Sequence, residues 1–419
     1  MTATETSLPD VGQSSSPLRR LLLMIGTRGL DQLALGGASL LIARRTGTED
    51  FAPFATVFIL YALAAQVGDG GLAFALLRQP KGSPIALSAR DNRRIASVVL
   101  ALIGVVAGLS IGGVAGTVVA IGGLTFVTGP AVYVGRASLQ RSGETRRLSI
   151  AEGVAAVAFF AGVVAVIHDI DDLLLFGLLC IGKHLVELGF QRTKSEGFSA
   201  TGDPVRASGL WASQVVTYAV ANVDYLLVGA LLGAEALSIY AIGFRLASAF
   251  SSVVAAPLTR TAFVDFANTS DAQRQHDQLV KQIGVFGACG IAGTALVALL
   301  LPTVLGTDWE ATRAVTLILG LALPWRLLLG PVVALGLTTG RAYRVVGWEL
   351  VRMVVLVAAI VVGSGSLNGV AGAVSAATIL SVVWAYHRAV TEAKVKPSIG
   401  LLVTAVCFAA SSVLLVSFW

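Results

Sequence analysis

Residues 227–241 read LVGALLGAEALSIYA, and residues 41–55 read LIARRTGTEDFAPFA. Aligned at an offset of 186 residues, the two share one pattern. Two apolar residues and a small one are followed, three residues on, by Gly-small-Glu, then an apolar residue, then aromatic-Ala. Gly47 and Gly233 suit tight turns between helices, and Glu49 and Glu235 suit the first turn of the helix that follows. A repeat of this kind is one helical hairpin written twice. Its position gives the plan: six apolar segments precede a basic stretch at 191–207, and the second copy opens directly after it.

Composition says what solvent the helices face. Of 419 residues, 55% are hydrophobic and 13% charged, against roughly 25% charged in an ordinary soluble domain. One water-soluble core cannot absorb so much apolar sequence, so the hydrocarbon of a bilayer is the expected surrounding. The 46 glycines fit that reading, because small residues let helix backbones approach closely where no hydrophobic force drives them together. Cys180, Cys289 and Cys407 all lie in apolar stretches, which excludes a disulfide framework or a CxxC metal pattern. Residues 1–18 are polar and Ser/Thr-rich and read as a disordered cytoplasmic tail. The apolar stretch after Arg19 and Arg20 lacks a small-residue cleavage site and reads as a first membrane helix rather than a signal peptide.

Spanning takes roughly 20 apolar residues, and thirteen segments qualify. They lie near 21–43, 50–76, 94–113, 115–139, 149–168, 171–190, 208–233, 236–262, 282–303, 312–338, 345–363, 367–388 and 398–418. Alternate connections collect 22 of the 30 basic residues, from Arg19 and Arg20 through Arg136, Arg141, Arg192 and Arg274 to Lys396. The opposite connections hold only Arg44, Arg45 and Arg313. The net charge of +6 is therefore a topology signal rather than a nucleic-acid footprint. By the positive-inside rule it puts the N-terminus in the cytoplasm. The expected protein is an all-α polytopic protein of the plasma (inner) membrane. Its parts are an N-terminal lobe over 19–190, a cytoplasmic linker at 191–207, a C-terminal lobe over 208–389 and an additional helix at 398–419. Parallel repeats of this sort are a transporter design, with the substrate site at mid-membrane between the halves.

Two stretches carry a resemblance to a known family. Residues 41–78, from Leu41 through Gly68-Asp69-Gly70-Gly71-Leu72 to Arg78, resemble the opening hairpin of polysaccharide flippases. Residues 222–245, from Asn222-Val223-Asp224-Tyr225 through Tyr240 to Arg245, resemble the same family's seventh and eighth helices. This is the Wzx-like branch of the multidrug/oligosaccharidyl-lipid/polysaccharide exporter superfamily. The resemblance implies a V-shaped pair of six-helix lobes that alternate between inward-open and outward-open states, and a lipid-linked oligosaccharide as cargo. The implied partners are that glycan, the bilayer, and polysaccharide polymerase or glycosyltransferase machinery. A thirteenth helix departs from the family's twelve-helix plan.

Charges inside the segments are the candidate site, because each costs at least a few kcal/mol unless paired or wet. Arg245 sits mid-helix with no acidic residue three or four positions away. It either holds the pyrophosphate of a polyprenyl-linked sugar, which its rigid donor fork suits, or pairs with Asp224 across the Gly233 turn. Asp224 is then a cation or proton site, or that partner. Arg326 lies beside Pro324 and Trp325, where a proline loosens the helix. Arg28 with Asp31, Lys183 and His184 with Glu187, and Glu349 with Arg352 stand three or four residues apart and read as pairs on one helix face. The substrate-binding candidates are thus Arg28, Arg245 and Arg326; the coupling or ion-pair candidates are Asp31, Asp224, Lys183 and Glu187. His168, Asp169, Asp171 and Asp172 read as a solvated acidic turn, and Asp69 as part of a bend. No Walker-type Gly-rich Lys motif is present, so the chain itself calls for no nucleotide cofactor. Cation-coupled drug antiport is the alternative within the superfamily, although lumen arginines tilt against it. A membrane glycan ligase or polymerase needs a large outward loop, and the outward connections are short.

Overall fold

The computed structural model describes residues 17–68, 85–191, 208–268, 272–338 and 342–397, with isolated positions at 72, 76, 198 and 199. The expected thirteenth helix at 398–418, the tail at 1–16 and Asp69 lie outside the described residues. Among the described residues, twelve helical segments follow one another. The first half holds α1 (Pro17–Asp50), α2 (Ala52–Val67), α3 (Leu87–Ile111), α4 (Gly113–Ser142), α5 (Thr145–Val166) and α6 (Leu173–Gln191). The second holds α7 (Ser208–Leu232), α8 (Ala234–Asn268), α9 (Ala272–Leu305), α10 in two pieces (Glu310–Gly320 and Leu323–Thr338), α11 (Ala342–Gly363) and α12 (Leu367–Glu392). Among the described residues, nine helices are each long and apolar enough to cross a membrane, and the two pieces of α10, bent by 43°, make a tenth. A two-residue parallel pairing, Ile85–Ala86 (β1) with Phe198–Ser199 (β2), ties two connections together.

The repeat is real at the level of packing. In the first half α1 packs on α5, α2 on α4, α3 on α4, α4 on α6 and α5 on α6. Shifting each label by six gives α7 on α11, α8 on α10, α9 on α10, α10 on α12 and α11 on α12, and all five contacts are formed. The turns agree as well: Gly47 and Gly233 both take positive φ, 77° and 91°, a conformation that glycine reaches at no steric cost. The halves meet through α1 against α8 and α2 against α7, a pair of contacts that the same shift interconverts.

Two details follow from a lipid surrounding. The Gly-rich helices α3 and α4 run nearly backbone to backbone, since a Cβ built on Gly104 would stand 2.5 Å from Gly123 Cα. Meanwhile the exposed faces carry Ile103, Val106, Leu109, Leu226, Val285 and Val354, which suit hydrocarbon and no aqueous surface. The ends of the bundle differ. Gly47, Gly112, Gly233, Gly306 and Ser366 mark the turns at one end; Arg141, Arg146, Arg147, Arg274, Lys394 and Lys396 gather at the other, here called the basic end. At the Gly47 end, Arg45 is spent on the C-terminus of α5, where it donates to the carbonyls of Val164 at 3.1 Å and of Ile167. Those carbonyls have no partner within their own helix.

A single hydrophobic core joins both halves near the Gly47 end, holding Phe51, Phe54, Phe176, Tyr240, Trp309 and Val370 together. The second core belongs to the other half of the chain alone and lies toward the basic end, with Leu258, Ile283, Leu327 and Tyr386. The lobes are thus packed as one body at the Gly47 end.

Candidate functional site

Helix α6 presents Lys183, His184 and Glu187 on one buried face. Lys183 Nζ lies 3.1 Å from Glu187 Oε1 and 3.0 Å from Asp31 Oδ1 on α1. The Arg136 guanidinium on α4 donates to both Glu187 oxygens, at 2.9 and 2.8 Å, and stands 3.5 Å from Glu152 on α5. His184 Nδ1 is 2.9 Å from Thr128 Oγ1, and its ring stacks on Tyr61 of α2 at 4.3 Å. One polar network therefore reaches five of the six helices of the first half. Its carboxylates and cations pair mutually, as buried charges must. The expected Lys183–Glu187 pair is present. Asp31 pairs across helices with Lys183, and its expected pairing with Arg28 falls on a side chain outside the described residues. Arg136, read from sequence as a connection residue, is a network member within α4. Charge spacing along one helix could not reveal this, because its partners stand on two other helices.

The second half places Asp224, Arg245 and Arg326 differently. Asp224 is buried and accepts from the Tyr240 hydroxyl at 2.6 Å and from its neighbour's backbone N–H at 3.0 Å. The ion pair with Arg245 considered above is not formed: the Arg245 guanidinium turns the other way, into the seam between the halves. Its Nη1 donates to Ser39 Oγ on α1, and its Cζ lies 3.9 Å from the centroid of the Phe58 ring on α2. Among the described residues no carboxylate pairs with it. Arg326 sits in the first turn of the second piece of α10, past the break that precedes Pro324. It lies 4.5 Å over the Phe244 ring and close enough to act electrostatically on Asp224 and Tyr240. Its Nη1 is buried without a hydrogen-bond partner among the described residues.

Around these charges runs an aromatic lining of Tyr225, Tyr240 and Phe244, in mutual edge and tilted contact. The seam continues on both sides of Arg245. Nearer the Gly47 end, Phe51 meets Trp309 edge-on at 6.0 Å; deeper, the Tyr218 hydroxyl donates to the Ile59 carbonyl. Ser39, Phe58 and Phe244 carry no charge and no motif, so nothing in the sequence singled them out. Elsewhere the expected Glu349–Arg352 pair forms at 3.0 Å. The acidic turn caps itself, with Asp172 accepting from the His168 backbone N–H at 2.7 Å and Asp169 from Asp171 at 2.9 Å. Chemically, the seam offers Arg245, whose partners are neutral, and the second half offers Arg326 near Asp224, while the first half sets the carboxylates Asp31, Glu152 and Glu187 against Lys183 and Arg136.

Comparison with known proteins agrees with this architecture. Residues 205–320, which include Asp224 and Arg245, match a family described as polysaccharide biosynthesis protein. No curated protein matches the chain in sequence at a significant level. Among solved structures, the chain is similar to a MATE multidrug transporter, DinF-BH (TM-score 0.67, 14% identity, 93% of this chain and 99% of that one). It is also similar to inward-facing and outward-facing structures of a multidrug resistance MATE family transporter of the MOP superfamily. The TM-scores are 0.63 and 0.61, at 15% identity, covering 90% and 91% of this chain and 100% and 98% of those. The family match thus rests on sequence in the second half, and the fold of these transporters is shared over most of the chain.

Proposed function

Taking that family match and that fold as premise, we propose that the chain is a flippase. It carries a lipid-linked oligosaccharide or polysaccharide precursor across the plasma membrane by alternating access between the lobes of 19–190 and 208–389. The observation that carries the reading is Arg245, a guanidinium at mid-depth on the lobe-to-lobe seam whose partners are a hydroxyl and a phenyl ring. A phosphate or diphosphate headgroup gives such a cation what the resting site lacks, an oxyanion matched to its planar fork. Arg326, with a buried donor free of hydrogen-bond partners among the described residues, is the second phosphate ligand. Tyr225, Tyr240 and Phe244 offer flat apolar faces beside it, while the polyprenyl tail stays in the bilayer. Arg28 keeps its place as a candidate on sequence grounds.

The basic end faces the cytoplasm in this reading, as the distribution of Lys and Arg requires. Since the lobes are packed together at the other end, the state described here is closed to the outside. Cargo enters from the cytoplasmic side, where glycosyltransferases load it, and leaves toward a polymerase. Cation-coupled antiport of small molecules, the second reading, is favoured by the buried carboxylates Glu152 and Glu187 and the partly buried Asp31. Each, however, already stands against Arg136 or Lys183, whereas an antiporter cavity needs a carboxylate able to receive a cation. The discriminating experiment measures glycan export and cationic-dye efflux in one strain. Loss of export with unchanged efflux in Arg245→Gln supports the flippase; full export in Arg245→Gln with Arg326→Gln overturns it.

A further inference from the structure

We infer that Arg245 is an anion-released latch: without cargo it holds the lobes together at the seam, and a diphosphate headgroup frees it and so opens the far side. The inference rests on the reading of Arg245 as a phosphate ligand and goes beyond it by assigning the coupling step.

Three observations carry it. First, Arg245 belongs to α8 in one lobe, but both its partners belong to the other lobe, Ser39 on α1 and Phe58 on α2. Separation of the lobes along this seam must break both contacts. Second, the partners are weak for a buried cation. Ser39 Oγ is neutral and already donates to the Leu35 carbonyl at 2.8 Å, so it contributes a lone pair and no charge. Phe58 contributes the negative face of its ring. A phosphate offers full negative charge and two oxygens for the planar donor fork, Coulomb attraction and bidentate geometry that a single hydroxyl lacks. An oxyanion arriving at mid-depth therefore outcompetes Ser39 and Phe58 for the same guanidinium. Third, among the described residues what else crosses the seam is uncharged: the shared apolar core, with Phe51 against Trp309, and Tyr218 on the Ile59 carbonyl. With Arg245 withdrawn, no charged group described here binds α8 to α1.

The consequence is directional. Cargo entering at the basic end reaches Arg245 before it reaches the Phe51–Trp309 closure, so headgroup binding precedes and promotes opening. After release the guanidinium returns to Ser39 and Phe58, which favours resetting of the empty carrier. A ligand shifts a conformational equilibrium only through its differential affinity for the two states, and here the difference is the loss of the latch contacts.

The test uses the full chain in lipid nanodiscs, with its three cysteines replaced by alanine and spin labels at Glu49→Cys and Asp308→Cys. Both positions are exposed and flank the Phe51–Trp309 contact. Distances are read by pulsed electron resonance with and without inorganic pyrophosphate, whose binding is measured separately by calorimetry. The expected result is a shift of about tenfold from short to long distances on pyrophosphate binding, the effect of one charge-assisted hydrogen bond. Ser39→Ala with Phe58→Leu should show the long distances without pyrophosphate while still binding it. If pyrophosphate binds and the distances do not move, or if the double variant stays short, the latch is overturned and the phosphate reading survives. If pyrophosphate does not bind, both fall. An equal shift with sodium chloride at matched ionic strength also overturns the latch, since it reports screening alone.

Discussion

A guanidinium resting on a hydroxyl and a phenyl ring keeps its charge in reserve, and this makes Arg245 the most informative single position. Arg245→Gln should lower glycan export at least about tenfold, the scale of losing one charged hydrogen-bond partner, at unchanged membrane abundance. Arg245→Lys should fall between, because it restores charge without the bidentate fork. Export assays with immunoblotting of membranes measure both, and wild-type export in Arg245→Gln would remove this residue from the site. Asp224→Asn with Arg245→Gln should behave like Arg245→Gln alone, since the two groups do not pair. The sequence identified both residues and left their relation open, and helix geometry supplies the answer. Tyr240 and Arg245 are five residues apart on α8, which at about 100° per residue turns them roughly 140° from each other. Tyr240 meets Asp224 on α7, so Arg245 necessarily points toward the other lobe.

At the scale of elements, the first-half network and the Gly104–Gly123 contact make two stability predictions. Glu187 is shared by Arg136 and Lys183. Removing it as Glu187→Gln takes from Arg136 its bidentate partner and from Lys183 one of two, leaving Arg136 only Glu152 at 3.5 Å, and should cost about 3–5 kcal/mol, read as lower thermal stability in detergent. Lys183→Met with Glu187→Gln should cost less than the single change, because both signs leave together; an equal or larger loss would mean that the network is not mutually compensating. Gly104→Ala should cost about 1–3 kcal/mol by overpacking, given the 2.5 Å approach to Gly123 Cα. Gly36→Ala, which meets no atom within 4 Å, should be close to neutral. Helix positions were legible because apolar length is written locally: of the thirteen expected segments, the twelve that fall on described residues each have at least one end within about four residues of an observed helix end. The poorest boundary is the start of α9, which begins at Ala272 rather than near 282. Its first turns are polar in sequence, yet His276 is buried against Tyr386 at 2.9 Å, and only tertiary contact makes that stretch helical. The break in α10 was foreshadowed by Pro324, but that it falls at 321–322 depends on packing.

For the molecule as a whole, charge distribution and helix packing are independent, and they divide the chain at the same place. The five helix contacts repeat at a shift of six spans, and that shift carries each helix of the first half onto one that enters the membrane in the same direction. The shared direction follows from the five spans, an odd number, that lie between α1 and α7. Alternation of basic and basic-poor connections requires the same parity. Arg44, Arg45 and Arg313 were its exceptions, and two of them have local employment. Arg45 binds carbonyls at the end of α5, and Arg313 lies 3.6 Å from Glu310. They are spent on helix ends and so do not contradict a cytoplasmic basic end. Single cysteines at Glu49 and Ser366 should therefore react with an impermeant maleimide in intact cells, whereas cysteines at Ser142 and Lys396 should react only after the membrane is opened. All four positions are exposed, so a silent site reports sidedness rather than burial. Parity is tested most sharply at Ser142 and Ser366, one from each half and from opposite ends of the bundle. Labelling of Ser142→Cys from outside, with Ser366→Cys silent, would invert the whole molecule. Labelling of both would break the repeat, because no membrane-spanning arrangement with the observed contacts puts both ends on one side.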